Sequence, residues 1–224
     1  MGESMHKVIN EKICYIPCSE NPLSADIGMI RENGETWLFD VGEGMENIAS
    51  LLDTGEKYHV VLSHFHQDHM GNIGRIPAVE IYASKETFKH AKAASDNASD
   101  TGIMRRDATE NDTTWHIVDR ERNIGNLHIF PLASSHAKGC VGLEIDETYA
   151  FVGDALYCKV RDGYLVFNAQ HLQEEIKVLK GLKAPYLLVS HHPGLIRGRE
   201  ECIAELEEIY QKRVKNEPEI RLKT

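Results

Sequence analysis

The stretch His64-Phe65-His66-Gln67-Asp68-His69 places four side chains that can bind a metal within six residues. It follows the apolar run 60–62 after one residue, Ser63, and this run is typical of a buried strand. Neutral imidazoles suit zinc, iron or nickel, and a carboxylate supplies a harder oxygen ligand or a proton acceptor. If the turn after the strand divides the cluster, its first two histidines face one ion while Asp68 and His69 face a second. The stretch therefore predicts a metal site at the end of a strand.

Three further apolar runs end in residues that can bind a metal. Residues 126–132 lead to Ser135-His136, residues 149–152 lead to Gly153-Asp154, and residues 186–189 lead to Ser190-His191-His192. Ligands and catalytic groups of layered α/β proteins usually gather where strands end. A structural zinc ion closes its shell with four protein ligands, whereas a catalytic ion leaves a position for water. The pattern therefore favours a site with chemistry to perform.

With these residues in view, the chain resembles the metallo-β-lactamase superfamily over nearly all of its length. Five motifs match in order: Phe39-Asp40-Val41-Gly42, the His64 to His69 stretch, His136 in Ser-Ser-His-Ala-Lys-Gly-Cys-Val-Gly, Asp154 in Phe-Val-Gly-Asp-Ala, and Ser190-His191-His192. The resemblance implies an α/β fold, a four-layer αββα sandwich with two mixed β-sheets and the metals at one edge. It also implies a metal-dependent hydrolase.

The resemblance assigns ligands residue by residue. His64, His66 and His136 would bind one ion, Asp68, His69 and His191 would bind the second, and Asp154 would bridge them. The implied cofactors are two divalent metal ions, with zinc expected and iron or manganese as alternatives. Asp40 would lie behind the ligands, where a carboxylate can orient a ligand histidine. The alternative for Asp40 is a plain turn residue, which Asp-Val-Gly would also suit.

The histidine pair at the end of the third run leaves an alternative open. His191 is favoured because it follows a strand and a small polar residue, as His64 follows Ser63. His192 is the alternative ligand. Whichever histidine does not bind the metal would support a ligand, face the substrate, or belong to the turn before Pro193.

Two ions about 3.5 to 4 Å apart would lower the pKa of a shared water and yield a hydroxide nucleophile. Asp68 would steer this nucleophile or carry its proton to the leaving group. Tyr157 lies three residues after Asp154, the offset at which lactonases of this superfamily place a tyrosine that can donate to an oxyanion. Packing on the far side of the strand is the alternative for Tyr157.

The expected partner is a small-molecule substrate, first a carboxylic ester, thioester or lactone. The alternatives are a phosphodiesterase, a mononuclear iron dioxygenase and a non-catalytic binding protein on the same fold. True β-lactamases of the commonest subclass place a cysteine ligand where this chain has Asp154, so antibiotic hydrolysis is not expected. A formal net charge of −10 opposes tight nucleic-acid binding.

Composition agrees with one globular domain over residues 1–224, because 42% hydrophobic content can form a sizeable core and a split would separate the ligands. The polar segment 1–12 predicts neither a secretory signal nor a membrane span. Five cysteines without paired spacing indicate a reducing compartment. We therefore expect a cytoplasmic protein.

Hydrophobic periodicity predicts the elements around these motifs. Strands are expected at 13–16, 27–31, 36–39 and 59–62, and helices at 45–52, from Ser84 to about Ala94, at 171–182 and at 200–215. Residues 95–114 are polar and predict a surface loop with a short helical turn near 103–106.

Other polar residues are expected to have no role in the site. They are the histidines without partner spacing (His6, His59, His90, His116, His128 and His171) and the cysteines near but not on ligand positions (Cys140 and Cys158). Arg105 and Arg106 would bind an anionic substrate or simply be solvated, and Lys138 is a further cation near a ligand.

Overall fold

The computed structural model describes residues 6–98 and 113–224. The chain divides into two compact units, Met1–Asp119 and Arg120–Thr224. The helices are α1 (Met45–Leu52), α2 (Gln67–Met70) and α3 (Lys85–Ala98) in the first unit, and α4 (Ala169–Gly181) and α5 (Arg199–Gln211) in the second.

The first unit is built on a mixed sheet of seven strands in the order β1-β2-β5-β6-β7-β8-β9. The strands of this unit are β1 (Lys7–Val8), β2 (Ile13–Ile16), β3 (Ser19–Glu20), β4 (Leu23–Ser24), β5 (Ile27–Glu32), β6 (Glu35–Phe39), β7 (Tyr58–Val61), β8 (Ala78–Ala83) and β9 (Thr114–Ile117). Pairing is antiparallel from β1 to β6 and parallel from β6 to β9. β3 and β4 form a separate hairpin.

The core of this unit lies on one face of the parallel strands. Leu38, Val60 and Ile81 are paired neighbours on β6, β7 and β8, and all three are essentially inaccessible to solvent. Ile48 and Leu51, three positions apart on α1, pack into the same cluster. The apolar face of α1 therefore covers the sheet that carries the metal-binding stretch.

The second unit contains a mixed six-stranded sheet in the order β10-β11-β12-β13-β16-β17 and an antiparallel sheet β14-β15-β18. Its strands are β10 (Arg122–Ile124), β11 (Leu127–Leu132), β12 (Cys140–Ile145), β13 (Tyr149–Gly153), β14 (Lys159–Arg161), β15 (Tyr164–Asn168), β16 (Tyr186–Val189), β17 (Ile196–Gly198) and β18 (Glu219–Lys223). β12 is antiparallel to both β11 and β13, and β13 is parallel to β16. The carboxyl ends of β11, β13 and β16 therefore meet at one edge.

The predicted α/β fold with mixed sheets is confirmed. The periodic patterns located α1 and β2 at their observed bounds, and the Ser84 cap is present, since Ser84 Oγ accepts a hydrogen bond from the Thr87 amide at 3.1 Å. The expectation that the loop begins at residue 95 is wrong, because α3 continues to Ala98. Arg105, Arg106 and the predicted turn near 103–106 lie outside the described residues.

Within 6–98 and 113–224, every helix is too short or too polar to span a bilayer.

Candidate metal centre

The metal-binding stretch of the first unit is a tight turn at the end of β7. The peptide nitrogens of His69 and Met70 both donate to the carbonyl oxygen of His66, which closes the short helix α2. The turn brings the His64 ring centroid within 4.5 Å of the His66 ring and 4.2 Å of the His69 ring. The rings of His66 and His69 therefore both lie close to the ring of His64.

Burial differs among the four side chains of this turn. His64 and His69 are completely buried, whereas His66 and Asp68 are half-buried. The Asp68 Oδ2 atom lies 3.6 Å from His69 Nε2. The turn thus offers two shielded nitrogens and two side chains that solvent can still reach.

Asp40 lies directly behind this turn. It follows β6, which is parallel to β7, so both strands end at the same edge of the sheet. Its backbone is left-handed, with φ of 59°, a conformation that Asp tolerates better than most residues. The fully buried carboxylate accepts hydrogen bonds from the Ser63 amide and the Ser63 hydroxyl, each at 2.7 Å.

The same carboxylate fixes the tautomers of two histidines. Asp40 Oδ2 lies 2.7 Å from His69 Nδ1, and since a carboxylate only accepts, Nδ1 of His69 carries the proton. The Ser63 hydroxyl gives its proton to Asp40, so its lone pairs accept from His64 Nδ1 at 3.0 Å. Nε2 is therefore the basic nitrogen of both rings, which is the form that binds a metal.

The second unit gathers three more predicted residues at one sheet edge. Asp154 follows β13, His136 follows β11, and His191 follows β16. His136 Nε2 lies 3.4 Å from Asp154 Oδ2, and His191 Nε2 lies 3.9 Å from Asp154 Oδ1. The Asp154 side chain is only 7% exposed, so two imidazoles flank the two oxygens of one nearly buried carboxylate.

Ser134 connects two of these strand ends. Its hydroxyl donates to the Ala155 carbonyl oxygen at 2.7 Å and accepts from the His136 amide at 3.0 Å. The His136 loop is thereby tied to the turn that carries Asp154. Sequence reasoning missed Ser134, which lies two positions before His136; the only available signal was a small polar residue close before a candidate ligand.

His191 and His192 point to different surroundings. His191 adopts a left-handed backbone with φ of 60° and lies beside Asp154. His192 lines a cavity with residues of α5, and its buried Nδ1 has no hydrogen-bond partner among the described residues. Within this unit, His191 is therefore the histidine of the pair that lies among the candidate ligands.

Tyr157 lies near the candidate ligands with its hydroxyl engaged. The phenol oxygen donates to the Ser190 carbonyl oxygen at 2.8 Å, and the ring centroid is 6.4 Å from that of His136. This hydrogen bond joins the turn after β13 to the turn after β16. The neighbouring thiol of Cys158 has its pKa raised by burial, which keeps it protonated.

Three of the histidines outside the motifs contact carboxylates. His59 Nδ1 and His116 Nε2 contact the two oxygens of Glu80 at 2.9 and 3.1 Å, and His128 Nδ1 contacts Glu144 at 3.0 Å. Burial raises the pKa of Glu80, but hydrogen bonds from His116, Tyr82 and His59 together lower it below its ordinary value. These contacts join neighbouring strands and give each of the three imidazoles a structural partner.

Comparison with known proteins places these features in a family. The sequence model of the metallo-beta-lactamase superfamily matches residues 21–191, which include all seven predicted ligands and part of each compact unit. A comparison with curated protein sequences found no match.

Solved structures share the fold at low identity. VMB-1, in a crystal structure at pH 5.5, is 15% identical, with a TM-score of 0.63 and coverage of 91% of this chain and 96% of that one. FIM-1 from Pseudomonas aeruginosa in its mono-zinc form is 16% identical, with a TM-score of 0.61 and coverage of 91% and 94%. An archaeal superfamily protein, ST1585 from Sulfolobus tokodaii, is 16% identical, with a TM-score of 0.55 and coverage of 91% and 88%. The likeness shows the fold.

Proposed function

Because the chain belongs to the metallo-β-lactamase superfamily, we propose that it is a hydrolase that binds two divalent metal ions, with zinc as the preferred metal. The observation that carries the proposal is the hydrogen-bonded chain from Asp40 through Ser63 to His64 and His69. It sets the tautomer of two imidazoles for metal binding before any ion arrives. A turn that only ends a strand does not require hydrogen bonds that fix the tautomers of two histidines.

Seven side chains supply ligand atoms of suitable chemistry, and the family pattern distributes them between two ions. These are His64, His66 and His136 for the first ion, Asp68, His69 and His191 for the second, and Asp154 as the bridge. We treat residues 1–224 as one functional domain, since the family match crosses the boundary between the two units. Imidazole and carboxylate together suit zinc, and they also accept iron or manganese.

When bound, divalent ions supply Lewis acidity and lower the pKa of a coordinated water toward neutrality. The residues of this chain do the rest. Asp68 is half-buried, with 17% of its side chain exposed, so it can take a proton from water and return it to a leaving group. Asp40 stays inside, where its hydrogen bonds hold the ligand rings in place.

Tyr157 stabilises the site through Ser190 in the resting geometry. Its hydroxyl proton is already given to the Ser190 carbonyl. To donate to an oxyanion, the hydroxyl would have to exchange this partner for the substrate oxygen. We propose that it does so on carbonyl substrates, because a single neutral donor matches the single charged oxygen that develops there.

The proposed substrates are small carboxylic esters, thioesters or lactones. A phosphodiester develops charge on several oxygens and requires cations around them. Lys138, the described cation nearest in sequence to a candidate ligand, has an exposed side chain. The neutral character of Tyr157 therefore favours carbonyl chemistry over phosphoryl chemistry.

Metal content provides the first test. Protein purified without chelator is expected to carry close to two ions per chain by elemental analysis, because seven ligand positions exceed what one tetrahedral ion uses. If the protein binds one iron ion tightly and no second ion under metal-replete conditions, the proposal of a hydrolase is wrong and an iron dioxygenase takes its place.

A substrate panel provides the second test. Activated esters, thioesters and lactones should be hydrolysed faster than bis-aryl phosphodiesters in the zinc, manganese and iron forms. Tyr157→Phe should lower kcat on the carbonyl substrates by about 100-fold, the lower end of the range for a lost oxyanion donor. Tyr164→Phe, which changes an exposed tyrosine of the same unit, is the matched control. Phosphodiester turnover above every carbonyl substrate, unaffected by Tyr157→Phe, would establish a phosphodiesterase instead.

A further inference from the structure

A fully buried polar side chain follows the metal-binding stretch in the first unit. Asn72 lies three positions after His69, and its surface is completely covered. A buried amide needs hydrogen-bond partners for its oxygen and for its nitrogen, because an unsatisfied polar group destabilises the fold. The partners of Asn72 therefore show which part of the unit this side chain holds in place.

The orientation of the Asn72 amide is fixed by a neighbouring cation. Arg75 Nη1 lies 3.0 Å from Asn72 Oδ1. A guanidinium only donates hydrogen bonds, so the amide atom that it contacts is the oxygen. The amide nitrogen then donates to the carbonyl oxygen of Val41 at 3.1 Å and to that of Gly44 at 3.0 Å. Both protons of the amide are thereby directed at one loop.

This loop directly follows Asp40 and is hydrogen-bonded to the metal-binding turn at almost every step. The amides of Val41 and Gly42 donate to the His69 carbonyl oxygen at 2.8 and 3.1 Å. The peptide nitrogen of Asn72 donates to the Gly42 carbonyl oxygen at 3.1 Å. His69 therefore binds the loop through its amides, and Asn72 binds it through its carbonyl oxygens.

The position of the loop decides whether Asp40 reaches His69. Asp40 Oδ2 lies 2.7 Å from His69 Nδ1, and a displacement of about 1 Å would end this contact as a hydrogen bond. Without the Asn72 donors, the carbonyl oxygens of Val41 and Gly44 lose these partners, and a shift of the loop toward other donors becomes favourable. The buried amide thus stabilises the spacing on which the tautomer of His69 depends.

We propose that Asn72, oriented by Arg75, is a positioning residue of the metal centre, which holds the loop after β6 where Asp40 selects the Nδ1–H form of His69. The inference rests on the proposed function for the statement that His69 binds a metal ion, whereas the hydrogen bonds require no ion. It predicts that metal affinity depends on a side chain that, among the described residues, hydrogen-bonds to no candidate ligand side chain.

Nitrogen NMR of the imidazoles in the metal-free protein tests the positioning directly. Asn72→Asp keeps the size of the side chain and removes both N–H donors, so His69 is expected to change from the Nδ1–H form to a mixture of tautomers. Zinc affinity, measured by competition with a chromophoric chelator, should fall about tenfold or more, as for other groups behind a ligand. Thr87→Val removes a buried hydroxyl of the same unit and should leave the His69 signals and the zinc affinity unchanged.

A second pair of variants decides the matter if Asn72→Asp does not fold. Arg75→Met removes the donor that orients the amide and should lower zinc affinity about threefold, as for the loss of one hydrogen bond, with a matching change in the His69 signals. Arg75→Lys keeps a donor and should restore both. In that case, an Arg75→Met protein with the original signals overturns the positioning role.

Two further outcomes would also overturn it. One is a folded Asn72→Asp protein with the original His69 signals and zinc affinity. The other is an equal loss of both in Thr87→Val, which would mean that general loosening of the unit is the cause. If the unaltered protein binds no zinc or other divalent ion, the proposed function is wrong, while the His69 signals still decide the role of Asn72.

Discussion

Asp40 and His69 form a fully buried contact across 29 positions of sequence, with 2.7 Å between Asp40 Oδ2 and His69 Nδ1. The parallel pairing of β6 and β7 makes the contact possible, because it brings the ends of the two strands to one edge. Ser63 completes it by donating its amide and its hydroxyl to the two carboxylate oxygens. A carboxylate buried at this depth is stabilised by such donors and in turn dictates which nitrogen of His69 is basic.

Asp40→Asn is expected to weaken metal binding by about 10- to 100-fold, the range seen when a partner behind a ligand is changed. The amide keeps the shape but removes the charge and one acceptor, so it no longer selects the Nδ1–H form of His69. Competition with a chromophoric chelator measures the loss. Asp162→Asn, at a side chain that is 89% exposed, should bind metal as the unaltered protein does. Equal affinity in the Asp40 variant would show that the tautomer is fixed by other means.

Asp68→Asn is expected to preserve the fold and lower kcat strongly, by at least about 100-fold, because it removes a proton acceptor and a ligand charge together. Rates should be compared at matched metal content, so that lost metal and lost proton transfer are separated. Asp119→Asn, an exposed substitution in the same unit, should retain the full rate. If kcat of Asp68→Asn stays within about threefold of the value for the original protein, Asp68 does not transfer the proton.

His191→Ala and His192→Ala are expected to differ in metal content. His191 lies 3.9 Å from Asp154, so its loss should cost one ion per chain. His192 lines the cavity at α5 instead, so its loss should leave both ions. Elemental analysis of the two variants decides the assignment. Loss of an ion only in His192→Ala would reverse it.

The sequence predicted the strand ends well because one rule governs them. Buried parallel strands read as short apolar runs, and the polar residue after each run must lie at the sheet edge. That rule located Asp40, His64, Asp154 and His191 at strand ends, where the structure places them. It needed no knowledge of which strands pair.

Features that depend on packing between distant elements were beyond this rule. The engagement of the Tyr157 hydroxyl by Ser190 spans 33 positions and follows from the parallel pairing of β13 and β16. The role of Ser134 depends on the approach of the Ala155 carbonyl 21 positions away. The cavity beside His192 depends on how α5 lies on its own sheet, which no local period encodes.

Glu175 provides a prediction on stability that is independent of the metal site. It lies on α4 with 1% of its surface exposed, and its Oε1 has no hydrogen-bond partner in the described parts of the chain. Burial raises the pKa of this carboxyl well above its ordinary value of 4.5, so the folded protein holds a proton that the unfolded chain releases. Above about pH 4.5 the folded state therefore loses stability as pH rises, until the raised folded pKa is passed, by at most about 1.4 kcal/mol per pH unit.

Glu175→Gln should remove this dependence, since an amide stays neutral at every pH. The difference in free energy of unfolding between Glu175→Gln and the original protein should thus move in favour of the variant as pH increases from 4.5 toward 8. Urea denaturation at a series of pH values measures it. Glu174→Gln changes the exposed neighbour on the same helix and is the matched control. A difference for Glu175→Gln that stays constant with pH would mean that the carboxyl finds solvent or a partner in the folded protein.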